Sequence, residues 1–357
     1  IILANHALPS VEQPRPYVPE AEFILWQALN SSLERVYRPV TAAPLSAAQV
    51  AVSRDWIAVG GPGLRLLPFN LSPAITVTVV TTGSSSTPIK AVAWNQATDI
   101  LLSQEDQALR LWQGERQIGA ATFAEPIACA AWHPTENKVV VCTGHEVALW
   151  QDPAQTPTTL FRFSERALTA SWSPDGRWLV AWDAPYTATQ QLILWDQQAA
   201  QVAVHAELTP TVQIRSAAWA PDSQHLVISS SDGRLLIRQI DVDESVTITN
   251  EQTIEQVEFI DQEHFLTWGG KDVVRLWSID GTLVQTFGNA ADHLQGFRVS
   301  PERTAVLVLQ GDGTARQYHW AGGEPIAYVG HTGPIITVAW HPDGNYPATG
   351  PIDGTAR

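Results

Sequence analysis

Methionine is absent from all 357 residues, lysine occurs only at Lys90, Lys138 and Lys271, and cysteine only at Cys129 and Cys142. Each scarcity excludes something. Two cysteines are too few for the multi-bridge framework that staples a small secreted domain, and they allow one bridge or none. Lys and Arg number 21 against 36 Asp and Glu, for a formal charge of -15. An acidic surface repels phosphate backbones, which argues against nucleic acid as a partner. No stretch reaches the ~18 consecutive apolar residues of a membrane-spanning helix. The opening IILANHALPS starts apolar but has no basic residues ahead of it, and it reads as a frayed terminus rather than a signal-peptide core.

What the chain does contain is a period. Short β-like runs end on an apolar or aromatic residue at Val52 (QVAVS, with Val52 before the serine), Trp94 (KAVAWN), Trp132 (CAAWHP) and Trp172 (TASWSP). The series continues at Trp219 (SAAWAP), Phe259 (QVEFID), Val299 (GFRVSP) and Trp340 (TVAWHP), with intervals of 38 to 47 residues. Self-similarity at about 40 residues is the signature of a repeat architecture, and eight units run through the chain.

Every unit follows one grammar. A turn such as SPDG (173–176) or HPDG (341–344) comes first, in which proline presets φ and Asp-Gly supplies the bend between antiparallel strands. An apolar run follows (WLVAW, HLVISS), then a second turn (SSDG, QGDG), then a third run with tryptophan near its end at Trp112, Trp150, Trp195 and Trp277. A more polar fourth run leads into the next unit. Four short strands with turns every ten or so residues make one antiparallel sheet. Such a sheet cannot bury both faces alone, and stacking the sheets radially buries them while leaving only short edges.

These residues resemble the WD-repeat β-propeller family over about residues 35 to 357. The best copy is the last, YVGHTGPIITVAWHPDGNYPATGPIDGTAR, with the Gly330-His331 pair and the turn aspartate Asp353. The resemblance implies an all-β propeller of four-stranded antiparallel blades, and a structural hydrogen bond between His331 and Asp353. The other units lack a Gly-His pair at that position, so apolar packing is expected to hold them. Seven complete units plus a split eighth give eight blades, with seven as the alternative.

The split unit explains a repeated pentapeptide. DGTAR occurs at 312–316 and again at 353–357, where the chain stops before the rest of the third strand and the fourth. An unpaired blade edge invites aggregation. EFILWQ (22–27) reads like the third strand ALRLWQ, and ERVYRPV (34–40) like a fourth. The expected organisation is an N-terminal extension over 1–21 and one propeller domain over 22–357, with 22–40 completing the last blade and closing the ring.

No reactive motif emerges. His133, His145, Cys129 and Cys142 fall in one unit, but the Cys-x-x-Cys and His-x-x-x-His spacings of metal sites are missing, and buried packing is the better reading of the cysteines. Gly-x-Ser-x-Gly elbows and glycine-rich phosphate loops are also missing. DVDES (241–245) lacks the glycine and distal glutamate of a calcium loop. No catalytic residue, cofactor or metal is assigned.

Two other features stand out. An arginine recurs two residues before the third-strand Trp position, at Arg65, Arg110, Arg238, Arg275, Arg316 and Arg357, and is read as packing or pairing rather than as a ligand ring. The unit around Trp172 also carries an insertion at 183–191, DAPYTATQQ, on the second-turn side. Its residues Asp183, Pro185, Tyr186 and Thr187 form the candidate partner-binding loop, because aromatic residues on projecting loops serve as interface anchors.

The function expected is a non-catalytic protein-protein interaction scaffold, a subunit of a larger assembly. The partner is expected to be one or more proteins with a basic docking surface, with no nucleic acid and no membrane insertion. The cytoplasm is the favoured location, with export or a membrane-associated complex as the alternative. A second functional reading makes the chain the propeller portion of a larger enzyme or signalling protein (a peptidase, kinase or nucleotide-hydrolysing switch), suggested by a start without methionine and an abrupt end at Arg357.

Overall fold

The computed structural model describes most of residues 88–351, and before them the strand segments 50–52, 56–59, 64–68 and 78–80. All described regular structure is β. Sheet 1 comprises β1 (Val50–Val52), β2 (Trp56–Val59), β3 (Leu64–Pro68) and β4 (Thr78–Val80). Sheet 2 comprises β5 (Ala91–Asn95), β6 (Ile100–Gln104), β7 (Ala108–Gln113) and β8 (Arg116–Thr122). Sheet 3 follows with β9 (Ile127–Trp132), β10 (Val139–Thr143), β11 (Glu146–Trp150) and β12 (Thr158–Arg162). Sheet 4 is longer-stranded, with β13 (Ala167–Trp172), β14 (Trp178–Asp183), β15 (Gln190–Asp196) and β16 (Gln201–Leu208). Sheet 5 contains β17 (Ile214–Trp219), β18 (His225–Ser230), β19 (Arg234–Gln239) and β20 (Ser245–Thr249). Sheet 6 contains β21 (Gln256–Phe259), β22 (His264–Trp268), β23 (Val274–Ser278) and β24 (Leu283–Phe287). Sheet 7 contains β25 (Leu294–Val299), β26 (Ala305–Gln310), β27 (Ala315–His319) and β28 (Ile326–Tyr328), and sheet 8 is the pair β29 (Ile335–Trp340) and β30 (Pro347–Pro351).

Every sheet is an antiparallel meander, each strand paired to the next in sequence. The expected all-β propeller architecture is present. Residues 1–21 and the segment 22–40 assigned to the last blade lie outside the described residues, as does the third-strand DGTAR from Asp353 onward.

The burial profile explains the composition of each strand. Second strands face a neighbouring sheet on both sides, so β10 (VVVCT), β14 (WLVAWD) and β26 (AVLVLQ) are buried throughout and read as unbroken apolar runs. Fourth strands lie at the outer edge, and β20 and β24 are mostly exposed and polar or mixed. The first strands form a closed circuit. Each of β5, β9, β13 and β17 lies beside the first strand of the next sheet, and β1 lies beside both β5 and β29. Between sheets 6 and 7 the Gln256 side chain donates to the Phe297 carbonyl at 3.0 Å.

Tryptophan holds this circuit in two ways. In the first, an indole from a first strand donates to the first strand of the preceding sheet: Trp94 to the Ala51 carbonyl at 3.2 Å, Trp132 to Ala93 at 3.0 Å and Trp219 to Ser171 at 3.2 Å. The acceptor is each time the residue just before the preceding repeat's anchor position, so the bond is a product of the period itself.

In the second, a third-strand indole donates to a hydroxyl on the second strand of its own sheet. Trp112 reaches Ser103 at 2.8 Å and Trp277 reaches Thr267 at 2.9 Å, both in buried surroundings. The register places Ala181 at the position in sheet 4 that corresponds to Ser103, since Leu179 pairs with Trp195 as Leu101 pairs with Trp112. An alanine has no acceptor to offer, and the buried Trp195 Nε1 has no partner. In sheet 3 the position is Val141, and the Trp150 indole turns instead to the Gln155 carbonyl at 3.0 Å.

This difference yields a test. Replacing Ala181 by serine supplies the missing acceptor in a wholly buried site, and it is expected to raise stability by about 1 kcal/mol, the usual net value of such a bond. Urea denaturation measures it. A loss of stability would show that the hydroxyl stays unpaired and that the register of sheet 4 differs from that of sheets 2 and 6.

Candidate functional site

Turns come first, because they present the surface. In SPDG the Ser173 hydroxyl donates to Asp175 Oδ1 at 2.6 Å, and Oδ1 also accepts the Arg177 amide at 3.0 Å. Ser230 and Asp232 repeat the arrangement at 2.6 Å, and Asp312 accepts the Thr314 amide at 2.8 Å. These carboxylates are committed to their own turns.

The insertion in sheet 4 is anchored at its base. Asp183 is wholly buried, and its Oδ1 accepts the Gln191 amide at 2.7 Å. Gln190 spans the gap to the next sheet, donating to the Asp183 carbonyl at 2.6 Å and accepting the Ile214 amide at 2.6 Å. Burial pushes the Asp183 carboxyl above its ordinary value, against the stabilising Gln191 amide. Asp183 therefore serves as a support for the loop. Pro185, Tyr186 and Thr187 lie outside the described residues, as do His331 and Asp353 of the expected structural pair and the acidic residues of DVDES.

Cys129 and Cys142 are directly opposite each other in the β9–β10 ladder and form a disulfide. Neither is available to a metal. His133 is committed as well. Its Nδ1 accepts the amides of Thr135 at 3.3 Å and Glu136 at 3.1 Å, so Nε2 carries the proton and donates to the Gly176 carbonyl at 3.1 Å. The ring stands edge-on to Trp172 at 4.8 Å and joins the first turns of sheets 3 and 4. Burial lowers its pKa, keeping it neutral near pH 7. Among the described residues no group of three or more His, Cys, Asp or Glu side chains could hold a metal ion.

The arginine series is corrected at one member. Arg110 sits two residues before Trp112 and pairs with the buried Glu105, Nε to Oε1 at 2.7 Å. Arg238 does not share that position. Leu226 pairs with Arg238 as Leu179 pairs with Trp195, so Arg238 occupies the Trp position itself and Leu236 the arginine position.

Glu258 has no counterpart in the expectations from sequence. It precedes Phe259 on β21, at the position filled by Ala93, Ala131, Ser171 and Ala218 in other first strands. Its signal was an acidic residue in a column of small residues that Arg298, just before Val299 on the next first strand, also breaks. Burial pushes its carboxyl up to about 7, opposed by Arg298, Arg303 and the Val299 amide. A folded-state pKa above the unfolded value means the folded protein holds an extra proton between about pH 4.5 and 7, so stability falls as pH rises through that window. Glu258→Gln is expected to be more stable than the parent at pH 8, with the difference vanishing near pH 4. Urea midpoints across that range check it, and a pH-independent difference would overturn the assignment.

The repeat family described as WD domain, G-beta repeat, matches residues 204–238 and 323–356. Eukaryotic translation initiation factor 3 subunit I from Sclerotinia sclerotiorum is 24% identical over 195 residues, covering 54% of this chain and 49% of that protein. The chain thus spans about half the length of that relative. The subunit I protein of Lodderomyces elongisporus is 25% identical over 280 residues, covering 71% and 72%. Among solved structures, the C-terminal WD40 domain of Sif2 superimposes with a TM-score of 0.69 at 15% identity, over 88% of this chain and 96% of that one. Sqt1 from Chaetomium thermophilum, bound to the N-terminus of ribosomal protein L10, gives 0.67 at 14% identity, over 86% and 94%. Repeat period, four-stranded meanders, a closed circuit of first strands and the matched segments agree: the chain carries WD-repeat segments and has the fold of the WD40 β-propellers.

Proposed function

We propose that this protein is a non-catalytic interaction scaffold, a subunit of a larger assembly, whose docking face is the second-turn side carrying the 183–191 insertion. The observation that carries the reading is the loop's mounting. Asp183 and Gln190 fix its two ends to β14, β15 and β17, so whatever the tip presents is held by a rigid frame. Relatives named as subunits of a translation initiation factor, and a structural neighbour bound to a segment of a ribosomal protein, support a protein partner.

Charge describes that partner. On the same face Glu125 is exposed, while Asp106 is paired with Lys90 and Glu105 with Arg110. With a net charge of -15 behind them, these loops favour a basic protein surface and oppose nucleic acid. Among the described residues no helix is long and apolar enough to cross a membrane, and the cytoplasm is the proposed location.

The test is a native pull-down with the full gene product. Residues 185–189 are replaced by a Gly-Ser turn while Asp183 and Gln190 are kept. The swap is expected to weaken partner affinity at least tenfold with no change in melting temperature, and binding by the parent is expected to fall as salt rises. A partner held equally well after the swap would sink this docking face, and turnover traced to the chain itself would sink the scaffold reading.

A further inference from the structure

A four-stranded meander leaves its fourth strand with one unpaired edge, and such an edge is a template for an extended chain that meets it. Proteins blunt these edges with short length, charge, proline or a bulge. The other described fourth strands follow that rule. β4 and β28 have three residues each. β8, β12, β16 and β24 carry a bulge in their pairing with the third strand, and β8 and β12 add Arg116 and Arg162. β20 uses none of these devices. Its five residues, SVTIT, hold no charge and no proline, pair with β19 in unbroken register, and all but Ile248 are exposed. All except Ser245 are β-branched, which suits the strand to further pairing.

What surrounds the edge describes its occupant. On one side Val246 and Ile248 face the turn at Gly281, where an added Cβ would fall 3.7 Å and 3.2 Å from their Cγ1 atoms. Asp280 of that turn is exposed, and the Thr282 amide holds its carboxyl below the ordinary value, so it is ionised. On the other side Thr247 lines a cavity of about 250 Å³ between sheets 4 and 5, and because Thr247 is itself exposed the cavity opens at this edge. Ala206 and Arg238 stand there in place of the rings that meet at other boundaries, such as Phe161 with Trp195 at 5.8 Å and Phe287 with Tyr318 at 5.7 Å. Leu192, Leu194, Ile228 and Leu236 make much of the wall, with the hydroxyls of Ser230 and Thr247 beside them. The two arginines at the cavity call for no acid, since Arg238 is already engaged within the protein and Arg234 pairs with Asp232 at 3.1 Å.

Sequence sets the sign of the partner. From Gln239 to Gly270 the chain carries eight acidic residues and no lysine or arginine, and β20 lies within this stretch. Pairing with a second copy would set two such stretches against each other, so the edge favours a cationic occupant over its own kind.

We propose that β20 takes up an extended basic segment of a partner protein as a fifth strand of sheet 5, with one apolar side chain of that segment seated in the cavity beside Ala206. Main-chain hydrogen bonds to the edge supply affinity, and the cavity, reached from one face of the added strand, supplies specificity. Lysines and arginines flanking the paired residues meet the acidic stretch. The inference does not rest on the docking face proposed above, since β20 belongs to the next sheet.

The test uses the full chain and the labelled peptide KRTVFVTRK, read by fluorescence anisotropy. KRTPFPTRK keeps the charges and the ring but cannot pair as a strand, and it is expected to bind at least tenfold more weakly. EETVFVTEE, with the charge reversed, is expected to lose at least as much. Thr247→Lys puts a cation on the exposed edge and is expected to weaken KRTVFVTRK at least tenfold without lowering the melting temperature. Ala206→Phe fills the cavity and is expected to weaken KRTVFVTRK tenfold but to leave KRTVAVTRK, whose alanine does not enter the cavity, unchanged. Should Ala206→Phe fail to fold, Ala206→Leu makes the same comparison. Amide hydrogen exchange over residues 245–249 is expected to slow in the complex. Equal binding of KRTPFPTRK overturns strand addition, and equal binding of EETVFVTEE overturns the charge assignment. Undiminished binding to Thr247→Lys, or unchanged exchange over 245–249, overturns the site, and undiminished binding to the folded Ala206 variant overturns the cavity as anchor point. Absence of peptide binding overturns the proposal as a whole, and a parent dimer that Thr247→Lys makes monomeric would overturn it in favour of a second copy as the occupant.

Discussion

An antiparallel sheet of four short strands has two faces to bury and too little chain to cover either, and here much of the covering is done by aromatic side chains at two recurrent positions, the end of the first strand and near the end of the third. The first-strand indole reaches back to a carbonyl of the preceding sheet, and the third-strand ring packs against the fourth strand of that same neighbour. Each sheet is thus completed by the next, and among the described residues every core cluster draws on two neighbouring sheets. This is the nearest-neighbour logic of repeat proteins, bent into a circuit. Hydrophobic burial supplies the bulk of the energy, and the indole hydrogen bonds fix one register among the alternatives that apolar contact alone would allow.

Much of this was legible because it is periodic. Anchor residues such as Trp132, Trp172 and Trp219 end first strands as read from sequence, and Asp-Gly turns sit between antiparallel strands. Arg238 was misplaced for an equally physical reason. In RLLIRQI the sheet lacks its tryptophan, and the apolar Ile240 offers itself as the substitute two residues later. A shift of two along a strand preserves which face every side chain occupies, so alternation cannot reveal the slip. Only the ladder, with Leu226 opposite Arg238, shows it. Glu258 and the cavity at Ala206 were invisible for the opposite reason: both are departures from the repeat, and their meaning lies in what neighbouring sheets place against them.

The second-turn surface and the inter-sheet core are decoupled by construction. Turn aspartates satisfy local amides, and the insertion in sheet 4 is tied down at Asp183 and Gln190 before its tip begins. The Cys129–Cys142 bond joins two residues already opposed in a hairpin ladder, so it reinforces one sheet and does not bridge two. Loops can therefore change without disturbing the circuit, which suits a fold that meets different partners with one frame.

His133 and Gly176 set a limit on that freedom. The histidine belongs to the first turn of sheet 3 and the glycine to the first turn of sheet 4, where φ is +77° and an added Cβ would fall 2.2 Å from the imidazole. Each residue is meaningful only beside the other, although a whole repeat lies between them. Repeat arrays change by gaining, losing or exchanging units. A recombination junction anywhere from Pro134 to Asp175 would separate this histidine from its glycine and bring a side chain against the ring or leave a buried imidazole without its acceptor. These two units form a lock and must be inherited together.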